Sequence, residues 1–242
     1  MTVINCDMGE SFGLYRMGDD EAIMPYISVA NVACGFHGSD FNHMRTTVRR
    51  AKKFGVKVGA HPSLPDLQGF GRREMKMGRE ELANCILYQV GALKAFLDAE
   101  GMSLNHIKPH GALYGMAARQ EHVAHAICDA AAVYKVPLMG MAGTLDEKIY
   151  TERGLRMIAE FYADLDYADD GNLIITREHE AKDPADAAAR CIRAIKERKT
   201  KTVGGKDVAV GSDAVCVHSD TPNAVAIASA VKEALKPYLD AA

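Results

Sequence analysis

Five short stretches decide how this chain folds: Val3–Asp7 (VINCD), Val29–His37 (VANVACGFH), Val56–His61 (VKVGAH), His106–His110 (HIKPH) and Ala214–His218 (AVCVH). Each is rich in strand formers, ends on a histidine or an acid, and is followed by turn residues and a helix signature. A lone histidine at a strand end means little, because most are satisfied core or surface residues. In parallel α/β folds, however, function gathers at the carboxyl ends of the strands. Five ionisable groups delivered to one end of successive strands predict a single concave site drawn from the whole chain, and hence an enzyme.

Working outward, strands are expected at Val3–Cys6, Ser28–Ala33, Val56–Ala60, Asn105–Lys108, Pro137–Met141, Leu155–Phe161 and Ala214–Val217, with helices between them. The clearest helix is Glu80–Glu100, where Leu82, Ile86, Val90, Leu93 and Leu97 form one apolar stripe. Asp183-Pro184 and Thr221-Pro222 each place a capping side chain before a proline at the first helical position. Seven β/α units with mostly short connections fit a parallel barrel or an open doubly wound sheet. Short strands that need burial on both faces favour the closed or nearly closed barrel, as one domain over residues 1–242. Two segments break the pattern. Pro62–Met77, with Gly69-Phe70-Gly71-Arg72-Arg73, is long enough to be a lid. Lys199–Val210 reads as a solvated hairpin turning at Gly204-Gly205.

Composition narrows the function. Of 242 residues, 48% are apolar and 25% charged, an ordinary globular balance. A formal charge of −3 argues against nucleic acid as a partner. No run approaches the roughly 20 apolar residues of a membrane span. Asp7 and Glu10 interrupt the start too early for a signal-peptide core. Six cysteines without a C-x-x-C pair fit reduced thiols in the cytoplasm.

Strand alternation places side chains. If His110 points into the barrel mouth, so does Lys108; if His218 does, so does Cys216, while Cys6 turns to the helix layer. Asp7, His61 and His110 are the preferred trio for a divalent metal, with a metal-free hydrogen-bonding cluster as the alternative. Asp7, Glu10, His37, Lys108 and His218 are the catalytic candidates, Lys108 to hold an anionic group or a developing oxyanion. Arg72, Arg73, Glu160 and Asp220 are the candidates for substrate contact. His43, His106, His122, His125 and His179 lack the strand-end placement and receive no role. Gly9-Glu10-Ser11-Phe12-Gly13 matches a nucleophile elbow, but a loop rather than a helix follows Ser11, so it is rejected. A Walker-type phosphate loop is absent.

Six ordered motifs are together similar to the LamB/YcsF family. They are Asn5–Gly13, Ala30–His37, Gly59-Ala60-His61-Pro62, Gly69–Arg73, Lys108–Tyr114 and Cys216–Pro222. The resemblance implies an irregular seven-stranded barrel related to the glycoside hydrolase/deacetylase superfamily. Its deacetylases bind metal through an Asp and two His, where Asp7, His61 and His110 fall. It also implies a subunit of an ATP-dependent 5-oxoprolinase, which opens the lactam of 5-oxo-L-proline to L-glutamate with KipI-like and KipA-like partner subunits. The chain departs from the family pattern at Leu165, where an arginine is expected, and after Arg177, where a Pro-Gly stretch is expected. A stand-alone metal-dependent deacetylase or amidohydrolase, and a non-catalytic lactam-binding subunit, are the competing expectations.

Overall fold

The computed structural model describes residues 2–176 and 178–239. Among them run nine strands: β1 (Val3–Met8), β2 (Val29–Ala33), β3 (Lys57–His61), β4 (Leu104–Ile107), β5 (Leu138–Gly140), β6 (Met157–Tyr162), β7 (Lys199–Lys201), β8 (Asp207–Ala209) and β9 (Ala214–His218). Seven of them close a parallel barrel in the order β1-β2-β3-β4-β5-β6-β9, with β9 pairing back onto β1. Closure decides against the open sheet, and it leaves no unpaired edge. β7 and β8 form the expected hairpin outside the barrel, and its turn uses the positive φ of Gly205 (+81°).

Eight helices cover the barrel: α1 (Asp20–Ile23), α2 (Phe41–Phe54), α3 (Arg79–Ala99), α4 (Gly111–Ala117), α5 (Glu121–Tyr134), α6 (Leu145–Glu152), α7 (Pro184–Glu197) and α8 (Ala224–Leu235). The α3 stripe Leu82, Ile86, Val90, Leu93 and Leu97 is buried throughout. The Asp183 carboxylate caps α7 through Ala185 N and Asp186 N, as expected. The start of α8 differs from expectation. Its N-cap is Asn223, and the Thr221 hydroxyl is drawn away to Asp164, 3.0 Å distant.

The barrel interior is stratified by strand alternation. Val29, Met139 and Ala214, with Val3 and Ile158, plug the floor. Above them lie Asn5, Asn31, His106 and Glu160, all buried, and at the top Asp7, Lys108 and His218. Barrels of this type usually fill their interior with branched apolar side chains. Here the polarity rises toward the mouth, and the apolar core lies chiefly between barrel and helices. No helix of the described residues is long and apolar enough to cross a membrane.

Candidate active site

The strand ends bring the ionisable side chains together. Asp7 and His218 are paired positions on β1 and β9, and His61 ends β3. β4 stops at Ile107, and the following Lys108-Pro109-His110 leads into α4, with His110 as its N-cap. Glu10, past the end of β1, turns back to His37, past the end of β2; Glu10 Oε1 and His37 Nε2 are 3.0 Å apart. The segment after β3 folds over this group as a cover. Gly71 sits so close that a side chain there would strike Ser63, His110 and His37.

Two histidines are fixed by the backbone in a telling way. His61 Nδ1 donates to the Lys108 carbonyl (2.7 Å), and His110 Nε2 donates to the Phe70 carbonyl (2.8 Å). A carbonyl only accepts, so each of those nitrogens carries its ring's proton. The remaining nitrogens, His61 Nε2 and His110 Nδ1, face each other at 3.0 Å, both lone pairs when the rings are neutral. Asp7 Oδ2 lies 3.3 Å from the first and Glu10 Oε1 3.4 Å from the second. Acceptors converging with no proton between them hold a shared proton or a cation. A second nitrogen bound to a carbonyl is the usual outer-shell support of a metal-binding histidine. Nitrogen and carboxylate donors suit a divalent transition metal. The ligand atoms fall into two groups, each within 4.8 Å: Glu10, His37, His61 and His110, and separately Asp7, Cys216 and His218. Of the expected trio, His61 lies next to both other members, 3.3 Å from Asp7 Oδ2 and 3.0 Å from His110 Nδ1.

Electrostatics sets the protonation of the rest. Burial would raise the Asp7 carboxyl, but His61, Lys108 and His218 outweigh it and hold Asp7 well below the usual carboxylate range. Burial pushes His37 and His110 down, and nearby His61 adds to both. Glu10 is raised by burial, with Asp220 and Asp7 adding. Lys108 Nζ lies 2.8 Å from Asp7 Oδ1, 3.0 Å from Glu160 Oε1 and 3.1 Å from Cys216 Sγ. It donates to Asp7 and Cys216 and is ion-paired with Glu160, so it steadies Asp7 rather than standing free for an anionic ligand. His218 has its own anchor. Its Nδ1 lies 2.9 Å from Asp164 Oδ1, and its backbone N–H donates to Asp164 Oδ2 at 2.9 Å. Nε2 then faces Asp7 Oδ2 at 3.6 Å. Burial disfavours a charged His218, but Asp164 more than offsets it and raises the imidazole.

At the mouth is a cavity of about 30 Å³, room for roughly one water. It is lined by the polar Asp7, His61, Arg72, Lys108, His110, His179 and His218 together with Tyr114, Tyr162, Leu165, Leu173 and Ile175. A cleft of about 1070 Å³ along the start of α8 shares His179 with it. Of the expected substrate contacts, Arg72 lines the mouth and pairs with Asp220 at 2.9 Å. The other three do not. Arg73 points outward, 65% exposed, onto Asp66. Glu160 sits behind Lys108 and accepts from the Tyr162 hydroxyl (3.0 Å). Asp220 faces the outer cleft and lies 3.2 Å from His179.

Three residues escaped the sequence. His106 and His179, given no role, lie in the barrel interior and at the mouth, and Asp164 anchors His218. The alternation that joins Lys108 to His110 continues to His106 and would have found it. Asp164 and His179 lie between β6 and α7, where no periodicity marks them. Leu165, in place of the family's arginine, belongs to the apolar part of the lining, and its carbonyl accepts from Arg190 Nη2 at 2.6 Å. Arg177 lies outside the described residues.

Fold and site together define a parallel β/α-barrel protein with an imidazole–carboxylate centre at the carboxyl ends of its strands. The chain belongs to the LamB/YcsF family, whose model matches residues 2–238. It is 44% identical over 239 residues to a 5-oxoprolinase subunit of Bacillus licheniformis, covering 96% of this chain and 94% of the relative. It is 43% identical to the lactam utilization protein lamB of Emericella nidulans, covering 98% and 94% of the two chains. The crystal structure of a lactam utilization protein from Thermus thermophilus superposes with a TM-score of 0.89 at 44% identity, covering 98% of this chain and 96% of that one.

Proposed function

We propose that this chain is a catalytic subunit of a 5-oxoprolinase, an assembly that hydrolyses the lactam of 5-oxo-L-proline to L-glutamate with hydrolysis of ATP. The substrate follows from the names of the relatives. The chemistry rests on one observation, the proton-free contact of His61 Nε2 with His110 Nδ1 beside Asp7. A lactam is a poor electrophile, and phosphorylation of its carbonyl oxygen makes attack by water feasible. The terminal phosphoryl group of ATP goes to the carbonyl oxygen and ADP leaves. Water adds to the carbonyl carbon, and the ring C–N bond breaks with the nitrogen taking a proton. The resulting acyl phosphate is hydrolysed by a second water to glutamate and inorganic phosphate. Asp7, kept ionised and held by Lys108, is placed to take the water's proton. His218, carrying a proton against Asp164, is placed to give one to the departing nitrogen. A divalent metal, held by His61 and His110 with Glu10 or Asp7, would supply Lewis acidity at the carbonyl.

The mixed lining of the mouth suits the two halves of the substrate. Leu165, Leu173 and Ile175 meet ring methylenes, and Arg72 meets the carboxylate. A cavity of about 30 Å³ is too small for the ring, so the mouth widens to admit it. The sequence has no Walker-type loop, which fits KipI-like and KipA-like subunits sharing the handling of ATP. The chain works as one domain, in the cytoplasm.

The test combines purified chain, both partner subunits, ATP and 5-oxoproline, and measures glutamate. Asp7→Asn and His110→Ala abolish turnover while the circular dichroism spectrum is kept. Full activity in both variants would remove these residues from the mechanism. Binding of labelled 5-oxoproline to this chain with no effect of Asp7→Asn on turnover would make it a binding subunit. Chelator-sensitive release of acetate from acetylated sugars without ATP would make it a deacetylase.

A further inference from the structure

We infer that His106 is a positioning residue for Asp7, acting through the Asn31 amide from one layer deeper in the barrel. This rests on the proposed role of Asp7 as the base. The chain of contacts is short and buried. His106 Nε2 lies 2.6 Å from Asn31 Oδ1, and Asn31 Nδ2 donates to Asp7 Oδ1 (2.7 Å) and to Asn5 Oδ1 (2.7 Å).

Elementary hydrogen-bond chemistry fixes every polarity in it. An ionised carboxylate only accepts, so the Asn31 atom facing Asp7 is the amide nitrogen. The other amide atom is then the oxygen, which also only accepts. His106 must therefore present Nε2–H. Burial, aided by the charge of Lys108, keeps this imidazole neutral, pushed down to about 3. A neutral ring has one proton to place, and Asn31 needs it at Nε2; Nδ1 then accepts, so Asn105, 3.1 Å away, must turn its amide nitrogen toward the ring. Gly59, on the neighbouring strand, makes room for the ring, since a methyl group there would fall 2.0 Å from His106 Cε1.

Without the histidine donor the Asn31 oxygen is buried with no partner, and the amide is held only from its nitrogen end, by Asp7 and Asn5. An amide that shifts or turns to satisfy that oxygen draws its N–H away from Asp7 and moves the base off its working direction. The substrate's own contacts at the mouth are untouched, so the loss belongs in kcat rather than KM.

The experiment compares His106→Leu with His106→Gln in the full assembly with ATP and 5-oxoproline. Leucine keeps bulk and removes the donor; glutamine restores an N–H near the Nε2 position. We expect His106→Leu to lower kcat at least about tenfold with KM within about threefold, because small misplacement of a reacting group costs rate steeply. His106→Gln recovers most of kcat, at a thermal midpoint close to that of the leucine variant. Equal loss of kcat in both variants, or full kcat in the leucine variant, overturns the inference. A wild-type assembly that releases no glutamate refutes the proposed reaction instead. Crystal structures of wild type and His106→Leu then judge the positioning alone: a rotated Asn31 amide and displaced Asp7 support it, and unmoved groups overturn it.

Discussion

Two clusters in this molecule share a charge arrangement and almost nothing else. In the barrel mouth, Lys108 lies between Asp7 (2.8 Å) and Glu160 (3.0 Å), all buried. On the surface, Asp129 lies between Arg79 (2.7 Å) and Arg153 (2.9 Å), with side chains 31–47% exposed. The separations match, so vacuum Coulomb energies would match as well. What differs is the medium: water weakens the surface attractions, and desolvation penalises every member of the buried set. A buried ion pair is therefore weak evidence of stabilisation, since apolar residues of similar volume often serve as well. Its presence is better explained by what it holds, which is Asp7 ionised and aimed at His61 and His218. The inner cluster belongs to the site, and the outer one is a surface contact between helices.

The largest effect should come from unbalancing the inner cluster. Lys108→Met leaves two buried carboxylates facing each other without their cation. Breaking a buried pair by removing one partner costs about 3–5 kcal/mol, and denaturant unfolding should show a loss of that size. A loss below about 1 kcal/mol would place this cluster with the surface pairs.

Acid should separate the two regions next. His37, His106 and His110 are pushed below the free imidazole range, burial being the main cause in each. A depressed folded pKa gives stability that is present above the unfolded value, about 6.5, and lost as pH falls. Glu10, raised by burial and by Asp220 and Asp7, acts in the opposite sense, since the native state retains a proton the unfolded chain releases. Three groups against one make unfolding take up protons on balance as pH falls below the unfolded imidazole value, so stability declines there. His218 is raised, so its contribution is present below the unfolded value and fades as pH rises through the folded one. Denaturant midpoints of the metal-free chain should fall steeply from about pH 6.5 to 5. A flat profile would mean that these imidazoles take up protons in the native state.

Much of the inner region could be read from the chain, for a physical reason. Alternation in strands is strict, so a residue's place in β1, β3 or β9 fixes which way it points, and Asp7, His61 and His218 lie at the mouth, with Lys108 one residue past the end of β4. Where prediction stopped, the determinant was not periodic. Asp164 and His179 lie on an irregular segment, and their approach to His218 depends on how that segment folds back. Which carboxylate each histidine meets depends on register and side-chain direction: Asp7 lies near His61 and His218, whereas His110 leans toward Glu10. The Thr221-Pro222 start of α8 failed because the Asp164 carboxylate competes for the Thr221 hydroxyl. Short-range capping rules cannot see a partner 57 residues away.

That carboxylate supplies an intermediate case. Asp164 is buried and accepts from the backbone of His218 and from the hydroxyl of Thr221, and it also faces the His218 ring. Asp164→Asn keeps the shape but puts an N–H where an acceptor is needed. A mispaired buried polar group costs about 1–3 kcal/mol, so the thermal midpoint should drop by less than in Lys108→Met. Turnover should fall as well, because His218 loses the charge that favours its protonated form. Unchanged turnover with reduced stability would confine Asp164 to a structural part.

The smallest effect belongs to the surface, and salt gives it a signature of its own. Asp129→Asn removes the central charge and leaves Arg79 and Arg153 to repel through water. Exposed pairs of this kind contribute about 0–1 kcal/mol, which in a chain of this size is a midpoint shift of at most about 2–4 °C. At about 1 M salt the screening length contracts to about 3 Å, comparable to the pair distances, so the difference from wild type should vanish. The Lys108→Met deficit should persist under the same conditions, because mobile ions do not enter the barrel. Thermal scans of both variants at low and high salt make the comparison directly. An Asp129→Asn loss that equals the Lys108→Met loss and survives salt would show that exposure is not what separates the two clusters.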